Sequence, residues 1–132
     1  MPRKLFAAGC WVLIALGLVH LMGHYGLMTA QGDTEAEKQL FSAMRGNPQD
    51  MGLGFVRSMF DIVAGFSLTF SILPAGTGLL GLVLLRHEGR APGLLRQAST
   101  VYAGVYGIMT GVALRYWFPA PLLFLAAAFL CF

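Results

Sequence analysis

The chain has 132 residues, of which 57% are hydrophobic and 11% charged, with a formal net charge of +3. A soluble domain is about a quarter charged, so this balance excludes an ordinary water-soluble fold and points to one integral membrane domain. The few cations flank apolar runs instead of forming a basic face, which excludes nucleic acid as a partner.

Arg3 and Lys4 precede an uncharged run that begins at Leu5 and continues to Met28. A signal peptide starts the same way, but its apolar region spans only about 7–15 residues and ends at a small-residue cleavage site. This run is longer and lacks a clean A-x-A site, so a first transmembrane helix is expected over about 5–28, retained in the mature protein. Cations before it and Asp33, Glu35 and Glu37 after it place the N-terminus in the cytoplasm.

An external loop is expected next. Thr34 and Glu37 have the S/T-x-x-E spacing of a capping box. Ala36, Leu40, Phe41 and Met44 recur on one face before Gly46-Asn47-Pro48 stops the run. A short amphipathic helix over about 34–45 is therefore expected, lying over the external end of the bundle.

The second transmembrane helix is expected over about 57–85, and its core from Ile62 to Leu85 carries no charge. Gly65, Gly76, Gly78 and Gly81 thin this helix for close neighbours. Ser67, Thr69 and Ser71 precede Pro74, where freed carbonyls predict a kink. Arg57 and Asp61 are expected one turn apart on one face. The loop from Arg86 to Gly93, with Arg86, Arg90 and nearby Arg96 against Glu88, is basic and hence expected to be cytoplasmic.

A third transmembrane helix is expected over about 95–114. It carries a small-xxx-small seam at Ala103, Gly107 and Gly111, with Tyr102 and Tyr106 on another face. Arg115, Tyr116, Trp117 and Phe118 form an aromatic-belt turn before Pro119. The fourth helix, over about 116–132, is short for a standard bilayer core. The expected fold is all-α: an antiparallel bundle of four transmembrane helices with both termini cytoplasmic.

The pattern resembles a family of small uncharacterised bacterial four-helix integral membrane proteins, distantly DoxX-like. The resemblance rests on Gly17-Leu18-Val19-His20-Leu21, on the acidic amphipathic loop ending in Ala43-Met44-Arg45, and on the run from Asp61 to Phe70. It implies a four-helix fold in the bacterial inner membrane and carries over no activity.

Chemistry-bearing residues are few. Gly76-Thr77-Gly78-Leu79-Leu80-Gly81 fits G-x-G-x-x-G, but it lies inside an apolar helix where no pyrophosphate can reach, so it reads as helix packing. Cys10 and Cys131 have no metal-type spacing and read as small apolar residues. His20 and His24 stand one turn apart on the outer half of the first helix, and Asp61 is expected at similar depth on the second. These three are the catalytic candidates, because ionisable groups inside a membrane are costly. Their structural alternative pairs Asp61 with Arg57 or Arg115 and bonds the histidines to loop carbonyls. Arg57, Arg115, Tyr102 and Tyr106 are the ligand-binding candidates, the tyrosines as walls of a quinone or lipid pocket.

No metal site or cofactor is required. A haem or chlorophyll-type macrocycle on a single axial histidine is one cofactor the sequence admits. Copper on Met22, Met28, Met44, Met51, Met59 and Met109 with the two histidines is another, without the support of M-x-x-M spacing. The expected function is that of a small non-catalytic accessory or assembly subunit of a larger membrane complex. Its expected partners are lipids and other membrane subunits or further copies of itself. The alternative is a membrane-embedded redox or lipid/quinone-binding enzyme that uses the outer His–Asp layer.

Overall fold

The computed structural model describes residues 2–90, 93–116 and 119–132, without the side chain of Arg90. Ala91 and Pro92 of the expected basic loop, and Trp117 and Phe118 of the expected aromatic turn, lie outside the described residues. The protein is mostly helical. Its helices are α1 (Arg3–Thr29), α2 (Glu35–Gly46), α3 (Met59–His87), α4 (Leu94–Tyr116) and α5 (Pro119–Cys131). Two short strands, β1 (Pro48–Asp50) and β2 (Val56–Ser58), lie between α2 and α3, and a 3-10 turn follows α3 over Glu88–Arg90.

By length and composition, α1 and α3 are the two described helices able to cross a membrane. At 27 and 29 residues and about 1.5 Å per residue, each exceeds the roughly 30 Å hydrocarbon core. α5 is apolar but shorter. Only 33% and 22% of the most apolar stretches of α1 and α3 are buried within the chain. A core helix of a soluble protein would be mostly covered. Here Trp11, Leu18, Phe66, Ile72 and Leu73 are all more than half exposed.

The chain forms two compact units, residues 2–18 with 72–132 and residues 19–71. In the first unit α1 and α3 run antiparallel. Arg3 donates to the Leu85 carbonyl at 3.3 Å and pairs with Glu88 at 3.2 Å. Further along, Cys10 meets Gly81, and Ile14 meets Gly78. This close approach needs glycine. A β-carbon at Gly78 would stand 2.5 Å from the Cys10 carbonyl oxygen, and one at Gly81 would collide with the Cys10 sulfur. Gly9 of α1 gives the same clearance to Phe132 and Cys131, and Gly107 of α4 gives it to Phe129.

An aromatic cluster fills the space these notches leave. Phe132 meets Tyr102 edge-on at 4.9 Å and Phe6 edge-on at 5.3 Å. Phe6 stacks on Tyr102 at 6.0 Å, and Tyr106 lies beside Phe132 at 6.1 Å. The Tyr102 hydroxyl donates to the Thr77 carbonyl at 3.1 Å, which ties α4 to α3. Leu13, Leu95, Leu125 and Ala128 complete this core.

In the second unit, the sequence marks the start of α2 clearly. The Thr34 hydroxyl accepts from the Glu37 N–H at 3.2 Å, while the Glu37 carboxylate accepts from the N–H groups of Thr34 at 3.0 Å and Asp33 at 2.8 Å. At the far end Arg45 donates to the Ala30 carbonyl at 3.1 Å. Its guanidinium lies 4.5 Å from the centre of the Phe60 ring, a cation–π contact. α2 buries no residue completely. Only Phe41 and Met44 of its expected apolar face are half-buried, and Leu40 is exposed.

The hairpin corrects the expected start of the second long helix. That helix begins at Met59, not near 57, because Val56–Ser58 pair antiparallel with Pro48–Asp50. The connection is a tight turn. Gly52, Leu53 and Gly54 all have positive φ, and the Asp50 carboxylate accepts from the Gly52 N–H at 2.8 Å, an Asx-turn. The last helix is corrected too. Tyr116 closes α4, and the described part of α5 begins at Pro119 and ends at Cys131.

Gly78→Ala should lower thermal stability in detergent by about 1–3 kcal/mol, the cost of overpacking. A β-carbon at Gly76 meets nothing, so Gly76→Ala should leave the melting temperature unchanged or slightly higher. Equal melting temperatures for the two variants would refute the tight α1–α3 contact. A second expectation concerns Glu37. The N–H bonds from Thr34 and Asp33 hold its carboxyl below the ordinary value of 4.5. A carboxyl with a lowered folded pKa contributes stability above its unfolded value and loses it as pH falls through the folded one. Amide exchange at Thr34 and Asp33 should thus accelerate, beyond the intrinsic pH dependence, only below about pH 4.5.

Candidate functional site

The second unit brings His20 of α1 to Ser67 and Phe70 of α3. His20 Nε2 and Ser67 Oγ are 3.4 Å apart, a long contact at the edge of hydrogen bonding. The imidazole lies across the Phe70 ring at 5.5 Å between centroids. One turn below Ser67, the buried Ser71 hydroxyl donates to the Ser67 carbonyl at 3.1 Å. His24, one turn from His20, has its Nδ1 buried with no hydrogen-bond partner among the described residues.

Asp61 lies elsewhere in the chemistry of this unit. Its carboxylate accepts from the Ser58 hydroxyl at 2.7 Å and from the Ser58 N–H at 3.1 Å, while the Asp61 N–H donates to the Ser58 hydroxyl at 3.1 Å. Ser58 is the residue before α3 and Asp61 its third residue, so this is a reciprocal cap of the helix start. The carboxylate also sits where the helix dipole favours negative charge. Ser58, which neither anticipated arrangement includes, is the main partner of Asp61, and the Arg57 charge is a lesser one.

The two arginine candidates are also placed locally. Arg57 belongs to β2, not to α3; it donates to the Val56 carbonyl at 2.8 Å and lies 5.9 Å from the Phe55 ring centre. Arg115, in the last turn of α4, lies over Tyr116 at 5.4 Å. Tyr102 and Tyr106 are buried in the aromatic core, where Tyr102 supplies a helix-to-helix bond. Of the methionines, Met109 packs against that core, while Met22, Met28, Met51 and Met59 are exposed. Among the described residues no three His, Cys, Asp or Glu side chains converge on a common point.

Two residues escaped the sequence reading. Ser58 was legible, since Ser58-Met59-Phe60-Asp61 has the S-x-x-acid spacing already used at Thr34 and Glu37. Ser67 was noted only as a helix serine. Its pairing with His20 depends on the register between α1 and α3, which spacing along one helix does not supply.

Comparison with known proteins adds no constraint: no protein-family model, curated protein or solved structure matches the chain. The arrangement amounts to a hydroxyl, two imidazoles and an aromatic face. It can exchange hydrogen bonds with a polar group. A nucleophile–base set also needs a group that orients the base, and the carboxylate expected in that role is the α3 cap.

The cap gives its own expectation. Ser58→Ala should destabilise the protein by about 1 kcal/mol, and Asp61→Ala should destabilise it as well. Because the two groups act reciprocally, the double variant should cost clearly less than the sum in a double-mutant cycle. Strict additivity would return Asp61 to the list of free carboxylates.

Proposed function

We propose that this chain is an integral membrane protein with four antiparallel transmembrane helices, a small non-catalytic accessory or assembly subunit of a larger membrane complex. In this reading α1, α3, α4 and α5 cross the bilayer, with α5 reaching only part of the way through it by its own length. The helix–hairpin segment lies outside, and Arg3, Lys4, Arg86 and Arg96 mark the cytoplasmic side. A bacterial inner membrane and kinship with small DoxX-like proteins belong to the same proposal.

The observation that carries it is the surface left apolar. Side chains such as Trp11, Ile72 and Leu73 in the first unit and Phe66 in the second stand exposed on α1 and α3, and large exposed apolar side chains on long apolar helices are what a lipid environment accommodates. The glycines divide in a telling way. Gly78, Gly81, Gly9 and Gly107 are filled by neighbours inside the chain, whereas Gly65, Gly76, Gly104 and Gly111 have no neighbour among the described residues where a β-carbon would point. Glycine costs helix propensity, and its usual return in a membrane is the close approach of another helix.

A tagged chain expressed in bacteria should stay with the membrane pellet after an alkaline carbonate wash. It should then co-purify in gentle detergent with a larger membrane protein in a fixed ratio. Gly65→Leu and Gly76→Leu should abolish that association without lowering the amount of tagged chain. Release into the carbonate supernatant would end the membrane reading. A detergent-soluble homogeneous species with no partner would end the subunit reading alone.

A further inference from the structure

The first unit contains a cleft of about 500 Å³ that plays no part in the functional reading above. Its walls come from the first turn of α1, the first two to three turns of α4 and the end of α5. Its lining is polar at Arg96, Ser99 and Thr100 and apolar at Leu5, Ala103, Leu130 and Phe132. On α4 these polar and small residues fall at i, i+3, i+4 and i+7, one face of one helix.

The charges at these helix ends are unequal in their commitments. Arg3 pairs with Glu88 at 3.2 Å and donates to the Leu85 carbonyl. Arg96, in contrast, is exposed and has no ion pair among the described residues. It also occupies the first turn of α4, where no acidic residue is present. A cation there opposes the helix dipole unless an anion accompanies it. The Thr100 hydroxyl donates back to the Arg96 carbonyl at 3.1 Å, so the guanidinium is the donor that faces an incoming anion.

We propose that this cleft holds one anionic phospholipid. Its phosphate lies on the Arg96 guanidinium, which matches phosphate geometry with two parallel donors. An acyl chain follows the apolar wall along Ala103 and Leu130. A cationic pocket between membrane helices with a greasy floor is the chemistry that selects an anionic headgroup over a zwitterionic one. The site rests on the membrane reading, because it presumes that the basic end of this unit meets a leaflet of lipid headgroups.

The test is native mass spectrometry of detergent-purified protein offered equal concentrations of palmitoyl-oleoyl phosphatidylglycerol and phosphatidylcholine. The expected result is a single phosphatidylglycerol adduct in clear excess over phosphatidylcholine. Arg96→Gln should weaken it by about fivefold or more, the worth of one interfacial cation. Ala103→Leu should weaken it by filling the acyl path. Arg86→Gln, which removes the same charge outside the cleft, should leave it intact. Equal adducts with both lipids, an equal loss in Arg86→Gln, or an equal adduct with glycerol 3-phosphate in place of lipid would overturn the site. Protein that needs no detergent to remain in solution would overturn the membrane reading and the site with it; detergent-dependent protein without lipid preference would overturn the site alone.

Discussion

Between Cys10 and Ile14 of α1 and Gly78 and Gly81 of α3 there is no room for a β-carbon. The rest of the first unit depends on that constraint. Lipid tails are as apolar as leucine, so helices in a bilayer gain little from hiding apolar surface against one another, and close packing has to hold them. Dispersion falls off steeply with small gaps, so two glycines on one face of α3 allow contacts that larger residues would prevent. The approach also sets the distance at which the Tyr102 hydroxyl reaches the Thr77 carbonyl. Wider separation would leave a buried hydroxyl without its acceptor, which costs more than the bond itself contributes.

Polar groups along the long helices follow one rule. Thr69, Ser71 and Thr77 of α3 each bond back to the carbonyl four residues earlier, and Thr110 of α4 does the same. Such back-bonding keeps the hydroxyl satisfied where water is scarce. Against that background His20 and Ser67 differ, because their contact, like that of Tyr102 with Thr77, crosses from one helix to another. It is longer than the local bonds and so constrains its partners less. An imidazole and a hydroxyl held this loosely can turn toward another polar group without giving up a strong bond.

Hydropathy alone made the long helices legible, and the spacing of Thr34 and Glu37 made the start of α2 legible to the residue. Both signals are local: one is a run of apolar side chains, the other a bond across three residues. The hairpin was not legible, for a physical reason. Its strands are three residues each, too short to display alternation, and they are set by a turn in which even Leu53 takes positive φ. Missing the hairpin moved Arg57 from strand to helix, although from β2 its charge still acts on Asp61. The site failed to be read for the complementary reason. Equal depth in two antiparallel helices is the expectation for His20 and Asp61, but His20 meets Ser67, well along α3 from Asp61, and a carboxylate three residues after a serine has a nearer partner already. Local capping wins over a longer-range bond because it closes the smaller loop and answers the orphan N–H groups of the helix start.

That competition bears on what the protein does. Proton transfer by histidine needs an imidazole held in one tautomer by a defined acceptor. With Asp61 committed to Ser58, the groups that meet His20 among the described residues include a hydroxyl, an aromatic ring and a second histidine. A set of this kind suits a docking contact, in which one polar group of a neighbouring helix or lipid is met and satisfied. The open glycines tend the same way. Four positions on α3 and α4 accept the destabilisation of glycine with no described residue where a β-carbon would point, which leaves room on those faces for another helix to approach closely.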